Sequence, residues 1–211
     1  MALTGGKAEP LRRLDEAASV FQEIMSTPDR SIPQDLLGKA HCIVIVPGLK
    51  KGGFIVGAKY GKGYLSCRRQ GAGWSAPGTV RVEGGGVGFQ IGGSESDVIM
   101  LVMDEQGVNK LLSSKFTLGA EGEIAAGPVG RETTAQTDAL MQAEILSWSR
   151  ARGVFAGISL QGATLREDLD DNASIYGRRL ANKAIVQTDI PTPDAAMRLI
   201  SLLNEYSAAK R

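Results

Sequence analysis

The sequence predicts an α+β domain: an antiparallel, curved, barrel-like sheet with flanking helices, one of them at each end of the chain. Three observations carry this. Short apolar, β-branched runs recur from residue 42 to residue 160, separated by glycine. Glycine makes up 27 of 211 residues, and without a period of three it serves tight turns and bends rather than collagen. Strands and helices do not alternate regularly, which argues against a doubly wound parallel sheet. With 43% hydrophobic and 22% charged residues, the chain can bury a full core as one globular domain.

Leu11, Leu14, Ala18, Phe21 and Met25 share one face of a helix over 11–26, with Pro10 suited to its first turn. The opposite face mixes Arg12, Arg13, Asp15, Glu16 and Glu23, so the stripe is expected to dock on the domain's own core rather than on a membrane. A helical turn at 33–37 is closed by Gly38. Residues 42–46 form a β-branched strand. Strands over 54–60 and 64–69 flank Gly61-Lys62-Gly63, which reads as a hairpin turn. Strands over 79–82, 87–91 and 97–103 follow, and Asp104 caps a helix over 105–114. Residues 116–118 and 123–126 read as two more strands. A strand ending at Trp148 turns through 149–153 into another over 154–160. Asn172 caps a helix over 173–183. After a linker at 187–191, Thr192 as N-cap and Pro193 open a helix with the stripe Leu199, Ile200, Leu203 and Tyr206. The domain body spans 11–186; 187–211 are a linker and a helix packed on it or trailing it.

Several functions are excluded or disfavoured. The longest apolar run, 98–103, is six residues, against about 20 for a membrane-spanning helix. Residues 1–10 hold no apolar signal segment and read as a loose leader. His41 is the single histidine and no CxxC occurs, so multi-histidine zinc sites and zinc ribbons are out. Gly84–Gly92, GGGVGFQIG, lacks the spacing, the lysine and the helix of a nucleotide loop. Gly73-Trp74-Ser75-Ala76-Pro77 misses GxSxG at its last place. The acidic run at 167–172 lacks the glycine and glutamate of a calcium loop. A carboxylate pair among Glu121, Glu123 and Glu132 is the residual enzymatic reading. No metal or other cofactor is expected.

If 42–46, 54–60 and 64–69 form a meander, Cys42 and Cys67 sit two strand spacings apart, about 9.6 Å. A disulfide needs about 7 Å or less. Another strand order would allow the bond, so both outcomes stand.

The net charge of +1 hides an asymmetry. Residues 36–82 carry eight bases and no acid, while 83–148 carry ten acids and three bases. The local field, not the total, is what a partner meets.

Trp74-Ser75-Ala76-Pro77, GGGVGFQIG at 84–92, Thr117-Leu118-Gly119, AAGPVGR at 125–131, SRARGVFAGISL at 149–160 and Tyr176-Gly177 follow one another in order. This succession resembles the SYLF domain, a lipid-binding module also described in fungal members as actin-binding. The likeness covers about 11–177, and the tail resembles extensions of stand-alone bacterial members, which are commonly exported. The resemblance implies phospholipid binding without catalysis. The chain shows no SH3 or other partner domain, and its first helix is not notably basic.

The expected site is therefore a basic surface for anionic headgroups. Lys50, Lys51, Lys59, Lys62, Arg68 and Arg69 form its first rank, and Arg150 and Arg152 its second. The partner is a phospholipid or anionic membrane surface and not nucleic acid. The alternative is a scaffold module whose same basic face meets actin or another acidic protein. The expected compartment is the cell envelope or periplasm, with the cytoplasm as the alternative.

Overall fold

Residues 42–46 are apolar on both sides of their strand, which requires cover on both faces. A computed structural model supplies it; residues 5–27, 29–52, 56–71, 73–87, 93–130, 142–151, 153–158 and 160–208 are described. Strand β1 (Cys42–Gly52) runs through the middle of a ten-stranded sheet. The sheet order is β6 (Lys115–Thr117), β10 (Thr164–Glu167), β4 (Gly78–Val87), β2 (Val56–Arg69), β1, β5 (Ser94–Val102), β8 (Ile145–Ala151) and β7 (Ile124–Ala126). Strand β3 (Gly73–Trp74) pairs with β2, and β9 (Val154–Gly157) with β8. Only the β7–β8 pair is parallel among the described residues. The sheet curls into a half-barrel, as expected.

One face carries Ile43, Ile45, Tyr64, Ile99, Leu101, Leu146 and Trp148. Helix α1 (Gly5–Met25) covers it with Leu14, Ala17, Ala18, Phe21 and Ile24, so the stripe docks on the core from Leu14 onward, while Leu11, expected in it, stays exposed. Each large side chain so buried stabilises by about 2 kcal/mol. The last helix, α6 (Met197–Ser207), packs Leu199, Ile200 and Leu203 into the same cluster, and its Tyr206 meets Phe21 edge-to-face at 5.9 Å. The far face carries Val44, Val46, Leu65, Val80, Val98, Met100 and Phe116, closed in part by Ile185 and Val186 of α5 (Asn182–Gln187).

The 61–63 hairpin does not exist: β2 passes straight through it. The glycines answer to close approach instead. A Cβ on Gly63 would stand 2.1 Å from the Ile45 carbonyl oxygen, and one on Gly61 2.9 Å from side-chain carbons of Val46 and Leu49. Beside them β1 bulges at Pro47-Gly48, where Gly48 has φ 61°. With β2 unbroken, β1 and β2 are neighbours and Cys42 faces Cys67. The two form a disulfide, which settles the question the sequence left open.

Other boundaries also shift. Helix α1 begins at Gly5, so Pro10 lies inside it. Helix α2 spans Gln34–Lys39. Helix α3 (Glu105–Leu111) is capped as expected, Asp104 accepting the Gly107 N–H at 2.7 Å. Helix α4 (Leu169–Tyr176) is capped by Asp168, which accepts the Asp171 N–H at 3.1 Å. Asn172 is instead buried within α4, where its side chain accepts from Thr79 and donates to Asn182 and the Leu180 carbonyl. A 3-10 turn, Asp194–Ala196, precedes α6, and Thr192 does not cap it. The expected strand over 87–91 and the rest of the glycine run to 92 lie largely outside the described residues.

Candidate functional site: the charged end of the sheet

Strand alternation sorts the basic residues by face. Lys50 lies in one row with Tyr60 and Glu95, on the face that α1 covers. Lys51 lies in the next row, paired with Lys59 and Ser94, on the far face. All of these stand where β1, β2, β4 and β5 end together. Between that end and α1 runs a polar cleft of about 630 Å³, reached by Lys50, Lys62, Arg150, Tyr60, Glu95 and Asp97.

Four of the eight sequence-derived cations, Lys62, Arg68, Arg69 and Arg150, are already engaged. Lys62 sits between Asp168 at 2.9 Å and Asp171 at 3.1 Å. Arg13 of α1 reaches the same Asp171 at 2.9 Å and Glu9 at 2.7 Å. Burial disfavours charge on both Lys62 and Asp168, but their mutual bond outweighs it: the Lys62 amine is held above, and the Asp168 carboxyl below, its usual range. Beside this network the buried Tyr64 hydroxyl donates to the Pro10 carbonyl, and burial pushes the phenol up. Arg150 donates to Asp97 at 2.8 Å, pairs with Glu23 of α1 and lies 5.5 Å over the Phe155 ring.

Arg68 and Arg69 lie at the opposite end of β2. Arg68 donates to the Leu37 and Ala40 carbonyls at 2.7 and 2.9 Å, closing the end of α2, and stacks 4.6 Å over Trp74. Arg69 pairs with Asp189. Arg152 lies outside the described residues. The eight cations therefore do not form one surface. The structure brings Lys50, Lys51 and Lys59 together at the sheet end, and among the described residues no ion pair holds any of the three.

Sequence reasoning missed the partners: Asp168, Asp171, Asp97, Glu23 and Asp189. The acidic run at 167–172 was visible, but Lys62 lies 109 residues from Asp171 and nothing local joins them. That run is a helix cap and an ion-pair anchor. Among the described residues no group of three His, Cys, Asp or Glu side chains can hold a metal ion. Ser75 is buried and donates to the Ala76 carbonyl at 2.9 Å. Glu121 and Glu123 are exposed, Glu121 accepting the Thr117 N–H; Glu132 lies outside the described residues.

Residues 83–206 match a family described as Ysc84, Las17-binding protein actin regulator. The chain is 32% identical over 190 residues to the SH3 domain-containing YSC84-like protein 1 of Rattus norvegicus, covering 89% of this chain and 56% of that protein. The Xenopus laevis protein of the same name is 31% identical over 199 residues, with 91% and 59% covered. Protein YSC84 of Saccharomyces cerevisiae is 29% identical over 178 residues, with 83% and 38% covered. The chain thus spans between about two fifths and three fifths of the length of these relatives.

Proposed function

Since the chain belongs to the Ysc84 family, the SYLF-type domains its motifs resemble, we propose that it is a non-enzymatic module that docks the lysine-bearing end of its sheet on the anionic headgroups of a phospholipid surface. One observation carries this. Of the basic residues brought to that end, Lys50, Lys51 and Lys59 alone lack acidic partners among the described residues. A surface met end-on is reached from both faces of a strand pair, so the alternation that separates Lys50 from Lys51 does not divide the site. Each lysine near an anionic membrane contributes about 1 kcal/mol, weakened by salt.

Co-sedimentation with phosphatidylcholine vesicles, with and without phosphatidylserine, tests this. The wild type is expected to pellet with the anionic vesicles only. Lys50→Glu with Lys51→Glu and Lys59→Glu is expected to lose about a hundredfold in affinity, with an unchanged circular dichroism spectrum. Lys62 is unsuited to such a test, because its substitution takes the ion-pair partner away from the buried Asp168. Equal binding by wild type and triple variant would sink the assignment.

The family's description as a Las17-binding actin regulator favours a second reading, in which the same end meets an acidic protein surface. Pelleting with actin filaments in the absence of lipid, abolished by the triple variant, is the outcome that would select it. We also propose an exported location, which the Cys42–Cys67 disulfide supports, since such bonds persist in oxidising compartments. Thiol trapping in intact cells should find both cysteines oxidised.

A further inference from the structure

On the far face of the sheet Lys51 of β1 stands directly opposite Lys59 of β2. Their neighbours in that row are Ser94 of β5 and Gly84 of β4, neither of which is charged. Lys50, Glu83 and Glu95 stand in the adjacent row, on the α1 face. Both lysines are half-buried, and neither forms an ion pair with an acid among the described residues. Directly opposed side chains of an antiparallel pair start about 5 Å apart, so both amines reach a single small ligand. Burial, and then the facing Lys59, hold the Lys51 amine below the usual lysine range. A lysine beside a second cation and partly out of water is the common design of a nucleophilic amine.

We propose that Lys51 is a covalent modification site that accepts acyl groups from acyl phosphates, with Lys59 holding the donor's phosphate. The free amine of Lys51 attacks the acyl carbonyl carbon. A carbon–nitrogen amide bond forms and the bond from that carbon to the bridging oxygen breaks. Inorganic phosphate leaves with the electron pair beside Lys59, and the surplus proton on nitrogen passes to water. Nothing is oxidised or reduced. The amide is neutral, so one of the three cations at the sheet end is lost. That consequence, though not the acylation itself, rests on the membrane-docking reading.

The folded protein is incubated with acetyl phosphate at about pH 8, and acetylation is followed lysine by lysine by peptide mass spectrometry. Lys51 is expected to react about fivefold faster than the exposed Lys39, Lys50 and Lys115. Lys59→Gln should bring Lys51 down to their rate, and Lys59→Arg, which keeps the cation, should preserve it. N-hydroxysuccinimide acetate, which carries no phosphate, should show a smaller dependence on Lys59. Lys51 reacting no faster than Lys50 overturns the proposal. An equal effect of Lys59→Gln on both reagents overturns the role of Lys59. In a second arm, acetylated protein should pellet less with phosphatidylserine vesicles than untreated protein. If untreated protein does not pellet at all, the docking reading fails, while the acetylation pattern still decides this one.

Discussion

Cys42 and Cys67 face each other across β1 and β2 with their Cα atoms 4.0 Å apart. The neighbouring pair, His41 and Arg68, carries the ladder bond, Arg68 N–H donating to the His41 carbonyl at 2.8 Å. The cysteines thus occupy a non-hydrogen-bonded position, where side chains approach most closely. Their sulfurs belong to the buried cluster of the far face.

Breaking this crosslink should cost stability. It closes a loop with a sequence separation of 25, which the chain-entropy account values at about 3.5 kcal/mol. Cys42→Ala with Cys67→Ala should lower the urea midpoint accordingly. Reductant alone should act on the wild type only as it unfolds, because both residues are buried. Urea titrations with and without reductant give both outcomes.

Gly63→Ala should be among the most damaging small substitutions. The added methyl group would meet backbone at 2.1 Å (Ile45 O) and 2.8 Å (Val46 Cα), and backbone cannot swing aside as a side chain can. A loss of about 3 kcal/mol or more follows from forced overpacking. Gly71→Ala, where no atom lies within 4 Å but φ is 73°, should cost only about 1 kcal/mol of backbone strain. Parallel thermal melts compare the two.

Asp168 should set part of the acid limb of stability. Burial raises its carboxyl, but the Lys62 bond lowers it further, and the net folded value is depressed. A depressed carboxylate contributes stability that is complete above its unfolded value, about 3.9. That contribution is lost as pH falls through the lower folded value. Asp168→Asn can still cap α4 but carries no charge. It should be less stable than wild type near neutrality, and the difference should shrink as pH falls below about 4. Stability measured across that range checks the sign.

Arg68→Ala should destabilise without touching membrane binding. The guanidinium satisfies two carbonyls at the end of α2 and stacks on Trp74. Removing it should cost about 2 kcal/mol, while vesicle pelleting at a temperature where the variant is folded stays at the wild-type level. Lost pelleting would return Arg68 to the docking surface.

The stripes at Leu14, Phe21, Leu199 and Leu203 were legible because helical period and burial agree there. The pattern of short strands also pointed correctly to a curled antiparallel sheet. Gly61-Lys62-Gly63 misled because glycine signals both a tight turn and a place where another backbone comes near; only the strand order distinguishes them. Taken as a turn, the triplet puts a strand between Cys42 and Cys67; as part of a continuous β2, it leaves them face to face. The acid-free stretch 36–82 was real in the sequence. Two of its charges, Lys62 and Arg69, are nonetheless taken up by Asp168, Asp171 and Asp189, which the chain returns from more than a hundred residues away. Charge counting along a chain sees neither alternation nor such distant partners.

The two tryptophans are built-in optical reporters of different parts of the molecule. Trp148 is fully buried, donates its indole N–H to the Pro128 carbonyl at 2.9 Å, and lies against Gly127, where a Cβ would stand 2.1 Å from its ring. Its emission follows the packing of the 127–128 segment against β8. Trp74 donates to the Ser207 hydroxyl at 2.8 Å, and its backbone N–H donates to Asn204 at 3.1 Å. Detachment of α6 would therefore wet Trp74 while Trp148 stayed dry. With one tryptophan replaced by phenylalanine at a time, a red shift confined to Trp74 would mark the C-terminal helix leaving before the sheet melts.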